Sequence, residues 1–407
     1  MYINRGLEKK VIEMSEQYPV VLVCGARQVG KSTMLNHIKS ADRKYVSLDD
    51  FSARTLAVQD PELFLETYGT PILIDEIQRV PELLLSIKNI VDQYALAGKS
   101  NKGLFWLTGS QQFQMMKSVS DSLAGRVALL NLSGFSMREI NGDNTEVFVP
   151  NVAKLKSSAS IQHKDINKIY NRIFAGGMPR LITEQLERES YYSNYINTYL
   201  ERDVRELSQV GNLVSFHNLL VYLSARTAQE LNYADASKAI GVSSPTIKSW
   251  ISILETSGII FLLRPYSSNI TKRIVKTPKL YFLDTGLCAY LSKWPNGEVL
   301  EAGAMSGAYL ETYVVSEIVK SYYANGKNPD FYYYRDFDQK EIDLLFVDAE
   351  SITPVEIKKN SYPSGADKNF SVLSKFNLKV NAGIVLCLCK EFMPVNREAW
   401  IYPISKI

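Results

Sequence analysis

The spacing of apolar residues changes several times along this chain, and each change marks a different element. Val20 to Cys24 run without a polar residue, the pattern of a strand covered on both faces in a parallel sheet. A glycine-bounded turn follows, and then Met34, Leu35 and Ile38 fall at helical spacing. Shorter apolar runs recur at Tyr45–Leu48, Pro71–Ile74, Leu104–Leu107 and Val127–Leu132, with a helical stretch predicted from Ala53 to Tyr68. Strands alternating with helices predict an α/β fold around a parallel sheet. Asn141 to Ser160 is polar and reads as a linker, and Ile161 to Leu207 is mostly helical. Ala234–Ile240 and Pro245–Leu254 read as two helices joined by Gly241-Val242-Ser243, with Ser243 or Ser244 as N-cap. Gly258 then ends the second helix, and Ile259–Leu263 forms a strand. Beyond Leu280 the chain becomes aromatic-rich, with a helix opening at Gly307 and strands at Phe331–Tyr334, Glu341–Val347 and Thr353–Lys358.

The turn after the first strand carries chemistry. Gly25-Ala26-Arg27-Gln28-Val29-Gly30-Lys31-Ser32-Thr33 is a glycine-rich loop set between a strand and a helix, the context of a phosphate site. Its glycines let successive amide N–H groups converge on phosphates, and the helix N-terminus adds partial positive charge. Lys31 is expected on the β- and γ-phosphates and Ser32 on a magnesium ion. The run ending in Asp75-Glu76 delivers two carboxylates at the carboxyl end of a strand, where ligands bind in open α/β sheets. Asp75 is expected to hold magnesium through water, and Glu76 to orient the water that attacks the γ-phosphate. Thr108 or Ser110 can sense that phosphate or cap a helix; both readings stand. Arg126, just before a strand, can reach a γ-phosphate in its own subunit or a neighbour's, the second requiring a homo-oligomer.

Composition narrows the class. The chain has 407 residues, enough for several domains, and 46% of them are hydrophobic. No apolar run approaches the roughly 18–20 residues that span a bilayer, and the first ten residues lack a signal-peptide core. A cytoplasmic protein without membrane contact is the expectation. Four cysteines make no disulfide framework, and Cys387 and Cys389 read as core thiols. The formal net charge is +3, divided as +1, +3 and −1 over residues 1–140, 141–274 and 275–407. No segment is the strongly basic body of a protein that coats nucleic acid, so any such contact must be a local patch.

Together, these motifs resemble the AAA+ superfamily. They are similar in particular to a bacterial and archaeal group of single-chain ATPases that share the loop 25–32 together with Asp75-Glu76-Ile77-Gln78, Thr108-Gly109-Ser110 and Leu123-Ala124-Gly125-Arg126. Gly176-Gly177-Met178-Pro179, Tyr199-Leu200-Glu201-Arg202-Asp203 and Pro278–Leu287 match the same group, so the resemblance covers nearly the whole chain. It implies ATP and Mg2+ as ligands and a helical lid that closes over the nucleotide. The expected organisation is an AAA+ P-loop core (1–140), a linker and lid (141–210), a winged helix-turn-helix (211–274) and a C-terminal α/β domain (275–407).

Two further readings concern partners. The second helix of the helix-turn-helix would present Thr246, Lys248 and Ser249 to a DNA major groove, with Lys272, Arg273 and Lys276 on phosphates. Such modules also serve for packing alone, and Lys248 is the single cation on that helix. The tyrosines at 191, 192, 195 and 199 read as packing surface. In the C-terminal domain, Asp343 and Glu356-Ile357-Lys358 resemble the restriction-endonuclease-like superfamily, with Ile342 where proline is common. That resemblance implies a magnesium ion held by Asp343 and Glu356, Glu311 as an added helical acidic residue, and Lys358 positioning an attacking water. The expected function is an ATP-driven protein acting on nucleic acid; the competing one is a nucleotide-dependent switch or assembly ATPase whose C-terminal domain only binds a partner.

Overall fold

Five parallel strands assemble in the order β2-β3-β4-β1-β5, where β1 is Val20–Cys24, β2 Lys44–Ser47, β3 Ile72–Asp75, β4 Phe105–Gly109 and β5 Val127–Asn131. The computed structural model describes residues 2–109, 122–157, 166–200, 213–267 and 277–407, and the side chains of all of these except 166, 167, 199 and 200. Ser110, Lys272, Arg273, Lys276 and most of Tyr199–Asp203 therefore lie outside the described residues. β1 and β4 are buried along their whole length, as continuous apolar runs require. Register sets Val23 opposite Thr108 and Ser47 opposite Asp75, so the functional ends of four strands finish level.

The helical stretch expected from Ala53 to Tyr68 is two helices, Phe51–Gln59 and Pro61–Tyr68. Pro61 has no N–H to continue the first helix, and the Asp60 carboxylate caps the second by accepting from the Leu63 N–H at 2.9 Å.

The helices Tyr233–Ile240 and Ser244–Thr256 form as read, with Ser243 as N-cap. They are flanked in the chain by the strands of a three-stranded sheet, β6-β8-β7: Gln229–Glu230 (β6) before them, Ile260–Leu263 (β7) and Lys279–Phe282 (β8) after them. The boundary read at 275 thus falls before a strand that belongs to the central sheet. The aromatic shift that suggested the boundary is β8 itself, buried over all four residues.

The C-terminal sheet contains β9 (Tyr332–Arg335), β10 (Glu341–Val347), β11 (Ser351–Lys358), β12 (Lys379–Val380), β13 (Gly383–Cys387), β14 (Met393–Pro394) and β15 (Ala399–Pro403). Its order is β14-β15-β13-β11-β10-β9, with β12 beside β11. β10 and β11 form the expected hairpin, and pairing Leu344 with Val355 puts Asp343 next to Glu356. All four cysteines are free and buried.

One apolar core runs from Leu7 through Ile407 and takes one face of the parallel sheet together with the central and C-terminal elements. Tyr191, Tyr192 and Tyr195 are buried in it. Asp284 fixes a junction within it. Its carboxylate accepts from the Gly177 N–H at 2.6 Å, the Tyr192 hydroxyl at 2.8 Å and the Leu287 N–H at 2.8 Å. Gly176 has φ +79°, and a Cβ there would lie 2.4 Å from the Tyr192 hydroxyl.

Replacing Asp284 by Ala leaves three donors without their acceptor and removes a helix cap. A loss of about 2–4 kcal/mol in urea unfolding is expected, with Asp284→Asn less damaging. Unchanged unfolding of Asp284→Ala would refute this role.

Candidate nucleotide site and carboxylate cluster

The loop after β1 needs glycine at its first position. Gly25 has φ +149°, and a Cβ there would stand 2.0 Å from the Leu132 carbonyl oxygen. Gly30, at φ +92°, turns the chain into the helix Lys31–Ile38. Lys31 is buried, and its ammonium donates to the carbonyls of Gly25 (3.1 Å) and Ala26 (2.9 Å). Burial, partly opposed by Glu76, pulls its pKa below the ordinary lysine value. An arriving phosphate would reverse that penalty.

Asp75 gathers the surrounding hydroxyls. Its Oδ1 accepts from Ser32 Oγ and Thr108 Oγ1, each at 2.5 Å, and its Oδ2 from the Tyr45 hydroxyl at 3.1 Å. Thr108 also accepts from the Glu76 N–H at 2.9 Å. Thr108 is therefore bonded to the acidic pair, a positioning role. Glu76 sits at φ 60°, a left-handed conformation uncommon outside glycine, and its carboxylate accepts from the Gln78 side-chain amide. The donor set fits a magnesium ion: a hydroxyl and a carboxylate oxygen already meet at the foot of the loop.

These residues open onto a cleft of about 640 Å³. Arg27 to Thr33 and Glu76 line it, with Asp49. So do residues the sequence reading missed: Tyr2, Ile3 and Arg5 on one side, Phe135 beside them, and Pro179, Arg180, Thr183 and Glu184 across from them. Arg5 is the clamp. Its guanidinium donates to the carbonyls of Val29 (2.8 Å) and Ser133 (2.6 Å) and to Glu139 (3.0 Å), and it lies 4.6 Å from the Phe135 ring centre. An arginine at this position carries no local signal for this; the capping-box spacing of Ser136 and Glu139 is a signal that the sequence reading did not use.

Arg126 is elsewhere. It precedes β5, at the end of the sheet opposite the loop, and makes a two-pronged pair with Asp92 at 2.7 and 3.0 Å. Contact with its own subunit's phosphates is ruled out by strand direction, because a parallel strand's first residues lie opposite the ligand end. On the second helix of the helix-turn-helix, Lys248 and Ser249 are exposed, whereas Thr246 is half-buried and bonds Ser243 at 2.8 Å.

The C-terminal residues come together differently from expectation. Asp343 Oδ2 accepts from the Ile357 N–H at 2.8 Å, and the Lys358 ammonium lies 3.2 Å from Glu356 and 3.9 Å from Asp343. Glu311 does not line the open cavity beside this pair. One of its oxygens accepts from Lys279 at 3.1 Å and the Tyr281 hydroxyl at 2.6 Å. Among the described residues, no three acidic, histidine or cysteine side chains approach closely enough to share a metal ion. Of the residues expected to hold magnesium, Asp343 and Glu356 sit side by side on the hairpin, while Glu311 is paired with Lys279 and Tyr281. Burial, then the neighbouring Asp343, pushes Glu356 up to about 10. Burial also raises Glu311 to about 7, against the pull of Lys279. For Asp343, burial is outweighed by the Glu356 hydrogen bond and the two lysines, and its pKa falls below the usual value.

Comparison with known proteins finds three matched segments. Residues 17–141 match a model described as an AAA domain, residues 166–298 a domain of unknown function (DUF8612), and residues 306–407 a domain of unknown function (DUF4143). An uncharacterised protein of Mycobacterium tuberculosis is 29% identical over 350 residues, 85% of this chain and 71% of its own; one from Mycobacterium bovis matches equally. Among solved structures, a Walker-type ATPase of Pyrococcus abyssi overlaps 71% of this chain and 96% of its own at 14% identity, TM-score 0.44. RuvB of Thermotoga maritima overlaps 66% and 93% at 17% identity, TM-score 0.31. AMPPCP-bound DnaA of Aquifex aeolicus overlaps 63% and 89% at 17% identity, TM-score 0.30. The segment that matches the AAA-domain model is the one that carries the glycine-rich loop Gly25–Ser32 and the Asp75-Glu76 pair. No helix among the described residues is long and apolar enough to cross a membrane.

Glu356 yields a pH test. Its proton stays on in the folded chain and leaves in the unfolded chain between about 4.5 and about 10. Folding is therefore disfavoured progressively as pH rises through that window. Glu356→Gln keeps a donor toward Asp343 and an acceptor for Lys358 without this penalty. Its melting temperature is expected to match wild type near pH 4.5 and exceed it increasingly by pH 9. A constant difference across that range would contradict the assignment.

Proposed function

We propose that this chain is a magnesium-dependent ATPase of the AAA+ type that acts on nucleic acid through a winged helix and its C-terminal domain. The observation that carries the hydrolytic part is the convergence of Lys31, Ser32, Asp75 and Glu76 at the level ends of adjacent strands. In this reading Lys31 leaves the Gly25 and Ala26 carbonyls for the β- and γ-phosphates, and the loop's amides take the remaining charge. A magnesium ion on Ser32, held through water by Asp75, would neutralise phosphate charge. Glu76, braced by Gln78, orients the attacking water. Tyr2, Ile3 and Pro179 offer apolar surface to the base. Pro179 and Arg180 belong to the lid, joined by Gly177 to Asp284 and so to the rest of the core.

Support for the nucleic-acid part is more local: exposed Lys248 and Ser249 on the second helix, and a C-terminal hairpin carrying Asp343, Glu356 and Lys358. The second reading is a nucleotide-dependent switch whose C-terminal domain binds a partner. The lysine standing among that domain's carboxylates favours it.

Lys31→Ala is expected to lower ATP turnover by about a hundredfold or more, while Glu76→Gln binds ATP and hydrolyses it slowly. Near-wild-type turnover in either variant sinks the ATPase assignment. Duplex DNA should stimulate wild-type turnover, less so in Lys248→Ala. DNA-independent turnover, with no magnesium-dependent cleavage lost in Asp343→Ala, favours the switch.

Arg126, at the far end of its own sheet, is assigned to a neighbouring subunit's site. Mixing Arg126→Ala with Glu76→Gln should then restore part of the turnover each lacks. No recovery, with a monomeric mass in ATP, would remove that role.

A further inference from the structure

Glu311, Glu341, Asp343 and Glu356 gather at one end of the β10–β11 hairpin, and a lysine from outside that sheet reaches three of them. Lys279 belongs to β8 in the central sheet. Its side chain is 4% exposed, and its ammonium lies 2.5 Å from Glu341, 3.1 Å from Glu311 and 3.9 Å from Asp343 Oδ1. Tyr281, two residues on and therefore on the same face of β8, donates to the same Glu311 oxygen.

We propose that Lys279 is the resident cation of this cluster: delivered by β8, it takes the charge-balancing place of a divalent ion and closes the carboxylates to metal. Three of the four Asp343 and Glu356 oxygens already face a cation or a donor. Asp343 Oδ1 faces Lys279, Asp343 Oδ2 accepts from the Ile357 N–H with Lys358 nearby, and Glu356 Oε2 accepts from Lys358. Magnesium requires about six oxygens in near-octahedral array at roughly 2.1 Å. Here two ammonium groups stand within 4 Å of the same aspartate, and a divalent cation placed on that aspartate would be repelled by both. The open cavity beside the hairpin, about 490 Å³, is lined by Glu341, Asp343, Glu356 and Lys358 but not by Glu311. The acidic residue expected as a further ligand has been turned to the lysine instead.

β8 cannot readily withdraw. Tyr266 N–H donates to the Tyr333 carbonyl at 2.6 Å, Arg335 pairs with Glu230 at 3.0 Å, and Thr227 bonds Thr312 at 2.8 Å, all between the central and C-terminal elements. The lysine is therefore held in the cluster by two sheets packed as one body. The inference concerns this cluster alone and stands or falls separately from the ATPase reading.

Binding of manganese, without nucleotide, tests it on the full-length chain by the loss of the free-ion spin-resonance signal. Wild type and Asp343→Asn are expected to bind the same number of ions. Lys279→Met, with its fold checked by circular dichroism, is expected to gain one ion, lost again in Lys279→Met/Asp343→Asn. An Asp343-dependent ion in wild type overturns the proposal, as does a folded Lys279→Met that gains none. If Lys279→Met does not fold, the wild-type comparison decides alone: equal binding upholds the proposal and unequal binding overturns it.

Discussion

Asp75 is the group on which the nucleotide site depends. One buried carboxylate accepts from Ser32 behind the loop, Thr108 on β4 and Tyr45 on β2, so it joins three strands and the first turn of a helix. Each bond is an ordinary charge-assisted one. Their common acceptor is what makes the geometry stiff, because none of the three hydroxyls can shift without losing it. Thr108 then fixes the Glu76 backbone in its left-handed conformation and aims the carboxylate that follows. A site built this way places its charged atoms before a nucleotide arrives, which lowers the reorganisation left for the reaction itself.

From that fixed point, connections run outward to the C-terminal end of the chain. Phe135 lines the cleft, and its N–H donates to the Gly177 carbonyl while its own carbonyl accepts from Lys320. Lys320 pairs with Glu317 on the helix Ser306–Ala324, and Glu317 accepts from the Met137 N–H. The same helix carries Glu311 toward Lys279. Cleft and carboxylate cluster are thus both bonded to the helix Ser306–Ala324.

Much of the cleft was legible because its chemistry is local in sequence. A strand, two glycines, a lysine and a hydroxyl within thirteen residues specify one turn, and Asp75-Glu76 ends an unmistakably apolar run. The rest is non-local. Arg5 meets Glu139 across 134 positions, and Pro179 reaches the cleft through a turn set by Asp284. Lys279 sits on β8, which pairs with β6 and β7, because the aromatic shift at Leu280 marks a buried strand of that sheet. Arg126 teaches a different lesson. Strand polarity sets it at the opposite end of the sheet from the loop, although the sequence reading lets it reach a phosphate in its own subunit, and that placement needed only the sheet to be parallel. The Asp60-Pro61 break was likewise written in the sequence, as a cap followed by a residue with no N–H.

The central claim is that one cleft joins the glycine-rich loop, the first residues of the chain and the turn at Pro179 around a nucleotide. Hydrogen exchange of the full chain with and without a non-hydrolysable ATP analogue and magnesium measures this directly. Amides in Ile3–Arg5, Ala26–Thr33 and Arg180–Glu184 are predicted to slow together. Protection of the loop with the other two segments unchanged would contradict the account.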